Sequence, residues 1–213
     1  MVEYLGTPLV KIYKKFLDAI NDEEMLLLSN EIIEKMMYSY LEDAIVDFNQ
    51  CKKDLTIKYV DEKGEEIIPA AQLSYTSNYS NKNAEITLMG KDTKEEYELD
   101  KDYTISFEDE KFIISFVVET TEEIIFKYKY LGEIVSDLDL EEIKILSYGM
   151  QIHWLQPKIN REENLKQMLT DSDYNAKSGA NMLAKLQARE EQLRTRFNKY
   201  QQRYMLKNFE GWN

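Results

Sequence analysis

The sequence is poor in the residues that carry most chemistry. It has one cysteine, Cys51, and one histidine, His153, in 213 residues. A single cysteine forms no intrachain disulfide, so nothing argues for an oxidising compartment. Zinc sites need several Cys or His ligands, and the chain offers one of each. A Ser-His-Asp or Cys-His arrangement would have to be built on His153, beside Trp154 and Leu155, and no Gly-x-Ser-x-Gly elbow occurs. The 7 glycines are all isolated, which excludes a glycine-rich phosphate loop. Only 3 prolines are present, so long unstructured linkers are not expected. The start, Met1-Val2-Glu3-Tyr4, has neither the basic nor the apolar region of a signal peptide. No apolar run approaches the length of a membrane span. Asp171-Ser172-Asp173-Tyr174-Asn175 opens like a calcium loop, but Ala176 stands where glycine is needed and Met182 where glutamate is needed. The expectation is a chain with no catalytic residue, no cofactor and no metal, and not an enzyme.

What is present is a foldable, acidic sequence. Hydrophobic residues make up 43% and charged residues 31%, enough apolar material to bury a core. With 40 acids, no carboxylate pair can be singled out for acid–base work. The net charge of −13 disfavours free nucleic-acid binding, but the charge is unevenly placed. From Tyr174 onward, eight basic residues (Lys177, Lys185, Arg189, Arg194, Arg196, Lys199, Arg203, Lys207) face three acidic ones (Glu190, Glu191, Glu210). That segment carries +5, leaving −18 on residues 1–173. Such a dipolar chain suits head-to-tail or stacked self-association, basic face to acidic face; a solvated basic helix is the simpler account of the same pattern.

Periodicity divides the chain into three parts. Thr7-Pro8 predicts an N-cap and first helical residue, followed by Leu9, Ile12, Tyr13, Phe16, Leu17 and Ile20 at helical spacing up to Asn21-Asp22. A second helix is predicted from Ser29, with a stripe from Ile32 to Phe48 broad enough to pack on two sides. From Asp54 the sequence alternates and turns β-branched and aromatic. Strands are predicted near 55–60, 67–75, 84–89, 103–107, 112–118 and 124–130, with a shorter one at 96–99. Turns are expected at Asp61-Glu62-Lys63-Gly64, Asn78 to Asn83, Gly90-Lys91-Asp92, Asp100-Lys101-Asp102 and Glu108-Asp109-Glu110. Helix returns after Gly132, with Asp139 and Glu142 as a capping pair. Pro157 is expected to kink or stop it near Gln156, and a short helix to run from Arg161 to Leu169 before a break at Thr170 to Asp173. A long last helix is predicted from Ser178 to Lys207. The fold class is α+β: residues 1–54 and 133–213 form one helical domain, and residues 55–132 an inserted small antiparallel β-domain, sandwich or barrel. The last helix interleaves Arg194, Arg196, Tyr200, Arg203 and Tyr204. Either the tyrosines pack in a core or an interface, or the stripe touches nucleic acid. Trp212, near the end of the chain, suggests docking on a partner.

The segments Met150-Gln151-Ile152-His153-Trp154-Leu155-Gln156-Pro157-Lys158-Ile159, Glu163-Asn164-Leu165-Lys166, Ser172-Asp173-Tyr174 and Ser178-Gly179-Ala180-Asn181-Met182-Leu183-Ala184-Lys185-Leu186 form one pattern. With Tyr200, Arg203-Tyr204, Gly211-Trp212-Asn213, Ile12 to Leu17 and the Leu41 to Phe48 helix, it resembles the neck, or head–tail connector, proteins of tailed bacteriophages of Gram-positive hosts. The resemblance implies a helical-bundle connector domain with a long C-terminal helix. It implies a homo-oligomeric, dodecameric ring in the virion neck, under the portal of a DNA-filled head, assembled in the host cytoplasm. Its partners would be the portal protein, tail or further neck proteins, and genomic DNA only in passing through the channel, with no membrane. An extended C-terminal segment would dock on the portal or a neighbouring subunit, with Phe197, Tyr200, Arg203, Tyr204, Phe209 and Trp212 as contacts. The chain departs from the family in the middle, where an insert of roughly 80 residues intervenes; it would project outward from the ring. Other readings are a tail terminator or baseplate component, or a cytoplasmic regulator that binds nucleic acid through the basic helix.

Overall fold

The computed structural model describes residues 6–20, 22–23, 25–168 and 176–207. It is a mixed fold of helices and antiparallel sheet, and the chain divides into two compact units. One holds Met1–Thr7, Lys11–Thr56 and Ile134–Asn213; the other holds Pro8–Val10 and Ile57–Glu133.

The helical unit is organised on one long central helix. The elements are α1 (Leu9–Leu17), α2 (Asn30–Asp47), α3 (Leu140–Met168) and α4 (Ala176–Lys207), with α2 and α4 both packed on α3. Ile143, Ile145, Leu146, Met150, Ile152, Leu155 and Ile159 are all buried, so α3 is apolar on more than one side, as a helix covered from two directions must be. Gly149 lets α2 approach: a Cβ there would lie 2.7 Å from the Ala44 Cβ. From α4, Leu183, Leu193, Phe197 and Tyr204 face inward at helical spacing.

The start of α3 follows the sequence reading. Asp139 Oδ1 accepts from the Glu141 and Glu142 N–H groups at 2.8 and 2.9 Å, and Glu142 Oε2 accepts from the Asp139 N–H at 2.7 Å. This is a reciprocal capping box.

Several expectations for the helical unit are corrected. Pro157 does not stop the helix; α3 runs through it to Met168, and no separate helix begins at Arg161. Proline costs an intrahelical bond, worth about 3 kcal/mol in an isolated helix. Here its ring is exposed while Leu155 and Ile159 on either side are buried, so packing overrides the local penalty. Thr7-Pro8 is not a helix start but a short strand, β1. The buried Thr7 hydroxyl donates to the Ser136 carbonyl at 2.9 Å and accepts from the Leu138 N–H at 2.6 Å, which holds the chain extended until Leu9. The first helix ends at Leu17 rather than at Ile20. On α2 the buried residues are Glu34, Met37, Leu41 and Ala44, while Ile32 is half exposed, so its apolar face is narrower than the stripe suggests. The break at Thr170 to Asp173 lies outside the described residues.

The β unit contains β2 (Ile57–Ile68), β3 (Ser74–Thr76), β4 (Glu85–Gly90), β5 (Tyr103–Glu108), β6 (Lys111–Phe116) and β7 (Ile124–Ile134). One sheet runs β1-β7-β2 with β4 also on β7, and the second runs β3-β6-β5. Ile68, Leu88, Ile114, Ile124 and Phe126, drawn from both sheets, are fully buried in one cluster with Tyr79, Tyr103, Phe112 and Phe116. The turn expected at Asp61 to Gly64 does not exist; β2 passes straight through it. Gly64 serves close approach instead, since a Cβ there would lie 2.2 Å from the Tyr128 Oη. Residues 96–99 form only isolated bridges, Met89 with Glu96 and Leu99 with Tyr103. The β5–β6 hairpin turns on Asp109 and Glu110, both at positive φ (48° and 61°), the geometry of a two-residue primed turn. β7 continues past Tyr130 through Gly132, whose φ of +98° disfavours a side chain and where an added Cβ would collide with the Lys58 carbonyl.

Candidate interaction surfaces

α4 has two faces with different employment. Its aromatic face is occupied within the helical unit. Phe197 is buried, with its ring near Gly149. Tyr204 is buried, packs edge-on to Phe48 at 5.3 Å between centroids, and donates to Glu142 Oε1 at 2.9 Å. Burial holds its phenol well above the usual range, and the Cys51 and Glu142 contacts add to that.

Glu142 is 1% exposed and serves three elements at once. Besides capping α3 and binding Tyr204, it accepts from Lys53 Nζ at 2.6 Å. Burial lowers the Lys53 ammonium, but the Glu142 carboxylate more than offsets that and holds it above the usual lysine range. Cys51 is half-buried beside the Tyr204 hydroxyl, and burial pushes its thiol up, away from reactivity.

The segment of α3 around Trp154 is likewise occupied internally. Trp154 Nε1 donates to Asp22 Oδ2 at 2.7 Å, and Lys158 Nζ lies 3.0 Å from the same oxygen. Burial raises the Asp22 carboxyl, but its bonds to Trp154 and Lys158 outweigh that and leave it below the usual range. His153 Nε2 meets Asp47 Oδ2 at 2.9 Å. The motif thus ties α3 to the α1–α2 connection and to the end of α2.

Of the six residues expected at an interface, Phe197 and Tyr204 are buried within the chain's own helical unit. Tyr200 is half-buried: it stacks on Tyr148 at 5.5 Å and accepts from Lys144 Nζ at 2.8 Å, which lowers its phenol. Arg203 is exposed, its guanidinium 5.8 Å from the Tyr200 ring centroid. Phe209 and Trp212 lie outside the described residues.

The outer face of α4 carries a feature that the sequence reading counted without placing. Lys185, Arg189, Arg196, Lys199, Arg203 and Lys207 are all exposed and fall at steps of three, four or seven residues, on one side of the helix. Only Lys207 has an acidic partner among the described residues, Glu141 at 3.4 Å. Arg194 stands off this line and pairs with Glu190 at 2.8 Å. Between α4 and the end of α2 lies an open polar groove of about 330 Å³, lined by Asp47, Asn49, Arg194, Phe197, Asn198 and Gln201.

Among the described residues no cluster of His, Cys, Asp and Glu is arranged to hold a metal ion, and no helix is long and apolar enough to cross a membrane. No protein-family model matches this chain, and no curated protein matches it.

Proposed function

We propose that this chain is a structural subunit of a tailed-phage neck: a connector domain that assembles as a ring between the portal and the tail and acts through protein contacts alone. The observation that carries the reading is the division of labour on α4. One face completes the helical unit through Leu183, Leu193, Phe197 and Tyr204, while the other is a line of exposed basic side chains in a chain that is otherwise strongly acidic. A helix built that way holds its own fold and keeps a charged edge for assembly. Tyr200, Arg203, Phe209 and Trp212 remain the residues assigned to the portal or to a neighbouring subunit. The β unit, with its acidic surface, is assigned to the outside of the ring.

The test is made on particles of the phage or prophage that encodes the chain. Mass spectrometry of purified particles is expected to detect it, and cryo-EM is expected to place it as a ring at the head–tail junction with the β unit outward. Density at the distal tail would make it a baseplate component. Absence from the particles would end the structural reading, and duplex binding that weakens steeply with salt would replace it with a nucleic-acid regulator.

A further inference from the structure

We infer that the chain self-associates head-to-tail: the basic line on α4 of one copy docks on an apolar tip of the β unit of the next. The inference rests on the ring reading and names the two surfaces that would build it.

The tip is a protrusion at the end of β6. Phe116 N–H donates to the Leu73 carbonyl, and pairing resumes at Thr120, whose N–H donates to the Gln72 carbonyl and whose carbonyl accepts from the Ala71 N–H. Val117 and Val118 lie between these anchors and are pushed outward, 63% and 74% exposed. The protrusion is fixed rather than loose: the Val117 N–H is bound by the Asp102 carbonyl, and the Thr120 side chain is buried. Two adjacent β-branched apolar side chains anchored in this way lose little rotamer freedom on being covered. Leu73 and Leu99 are more than half exposed nearby. The rim is net acidic: Glu119 follows Val118, and the turn beside it is Asp100-Lys101-Asp102, whose lysine is paired with Glu98 at 3.0 Å.

The complement is on α4. Lys185 to Lys207 spans about 33 Å of helix, and the basic line ends beside Leu206, an apolar side chain 71% exposed. An apolar spot flanked by Lys199, Arg203 and Lys207 matches an apolar tip rimmed by Asp100, Asp102 and Glu119 in both chemistry and charge. The occupant of the basic line is therefore a second copy of this chain rather than a nucleic acid. The contact joins two different surfaces, so each copy offers one of each, and the arrangement repeats from copy to copy until it closes.

The test uses full chains in a Cys51→Ser background. One carries Val118→Cys and the other Leu206→Cys; both sites are exposed, so both chains should fold, as circular dichroism will verify. They are mixed and treated with a short bis-maleimide. The expected product is the mixed dimer, well above either like-with-like dimer. Its yield should fall about tenfold or more from roughly 0.1 M to 1 M salt, as the screening length shrinks from about 10 Å to 3 Å. Reversing Arg196, Lys199 and Arg203 to Glu in the Leu206→Cys chain should abolish it without changing the helical signal. Like-with-like and mixed products in statistical ratio, or no mixed product, overturn the inference. Retardation of a short DNA duplex without mixed dimer also overturns it and assigns the basic line to nucleic acid. Detection of the chain in the particle neck with no mixed dimer would leave the neck reading standing and remove this one; mixed dimer with no chain in particles would do the reverse.

Discussion

The contact of Gly149 with Ala44 sets a test of the helical unit's packing. Replacing Gly149 with Ala adds one methyl to α3, and propensity alone would reward it by about 1 kcal/mol. The structure argues the opposite sign. The new Cβ would stand 2.7 Å from the Ala44 Cβ and 3.1 Å from its Cα, with a Phe197 ring carbon 3.5 Å away. Carbon atoms rest at about 3.5–4.0 Å, so α2 and α3 must separate by roughly 1 Å, or both must shift. Overpacking of this kind costs about 1–3 kcal/mol. The net expectation for Gly149→Ala is a destabilisation of up to about 2 kcal/mol. Ala44→Gly removes the obstructing methyl and should cost about 2 kcal/mol alone, from lost propensity and a lost buried methyl. The double variant relieves the clash and keeps the propensity gain at position 149, so it should be no less stable than Ala44→Gly. Urea unfolding followed by the helical circular dichroism signal gives all four stabilities. A coupling of about 1.5 kcal/mol or more in the favourable direction is expected. Single changes that add within about 0.5 kcal/mol, or a Gly149→Ala variant more stable than the parent, would refute the close approach.

Four further variants test the buried polar contacts and the glycine at positive φ. Glu142→Gln should destabilise the helical unit by about 1–3 kcal/mol, since it removes the charge shared by Lys53, Tyr204 and the α3 cap; Lys53→Met should cost less, because the lysine is partly exposed. The Lys53 ammonium is held above its unfolded value, so its contribution is complete below about pH 10.4 and disappears as pH rises through the folded value; melting curves of wild type and Lys53→Met from neutral to strongly alkaline pH should therefore converge. Asp22 has the opposite sign. Its carboxyl is held below the unfolded value, so its contribution is present above about pH 3.9 and lost as pH falls. Asp22→Asn should cost about 1–2 kcal/mol at neutral pH, a gap that closes in acid, and should shift Trp154 fluorescence in a Trp212→Phe background. Gly132→Ala should destabilise the β unit by about 3 kcal/mol, because the left-handed backbone opposes a side chain and the new Cβ would collide with the Lys58 carbonyl; amide exchange should report loss of protection in β2 and β7 before α3.

The features legible in the sequence were those whose cause is local. Asp139 and Glu142 announce a helix start because both partners of the capping box lie within one turn. Phe112, Ile114 and Phe116 announce a strand because alternation needs no knowledge of the partner strand. Where the cause is remote, local chemistry misled. Asp61 to Gly64 has the composition of a turn, yet pairing of β2 with β7 and the Tyr128 ring against Gly64 hold it extended. Pro157 has the chemistry of a stop, yet the burial of Leu155 and Ile159 carries α3 past it.

The aromatic stripe of α4 is the same problem in functional form. Phe197, Tyr200 and Tyr204 at helical spacing say that one face is covered, but periodicity is identical whether the cover is the chain itself or a partner. Phe197 and Tyr204 are covered within the helical unit, so they contribute to folding, and truncating either should destabilise that unit. What α4 exposes is chiefly cationic side chains, with Leu206, Met205 and the half-buried Tyr200 beside them. A surface of that kind owes its selectivity and encounter rate chiefly to charge. Assembly through α4 should consequently be far more sensitive to salt than the stability of the helical unit, whose core is apolar. That difference separates loss of binding from loss of fold in every α4 variant.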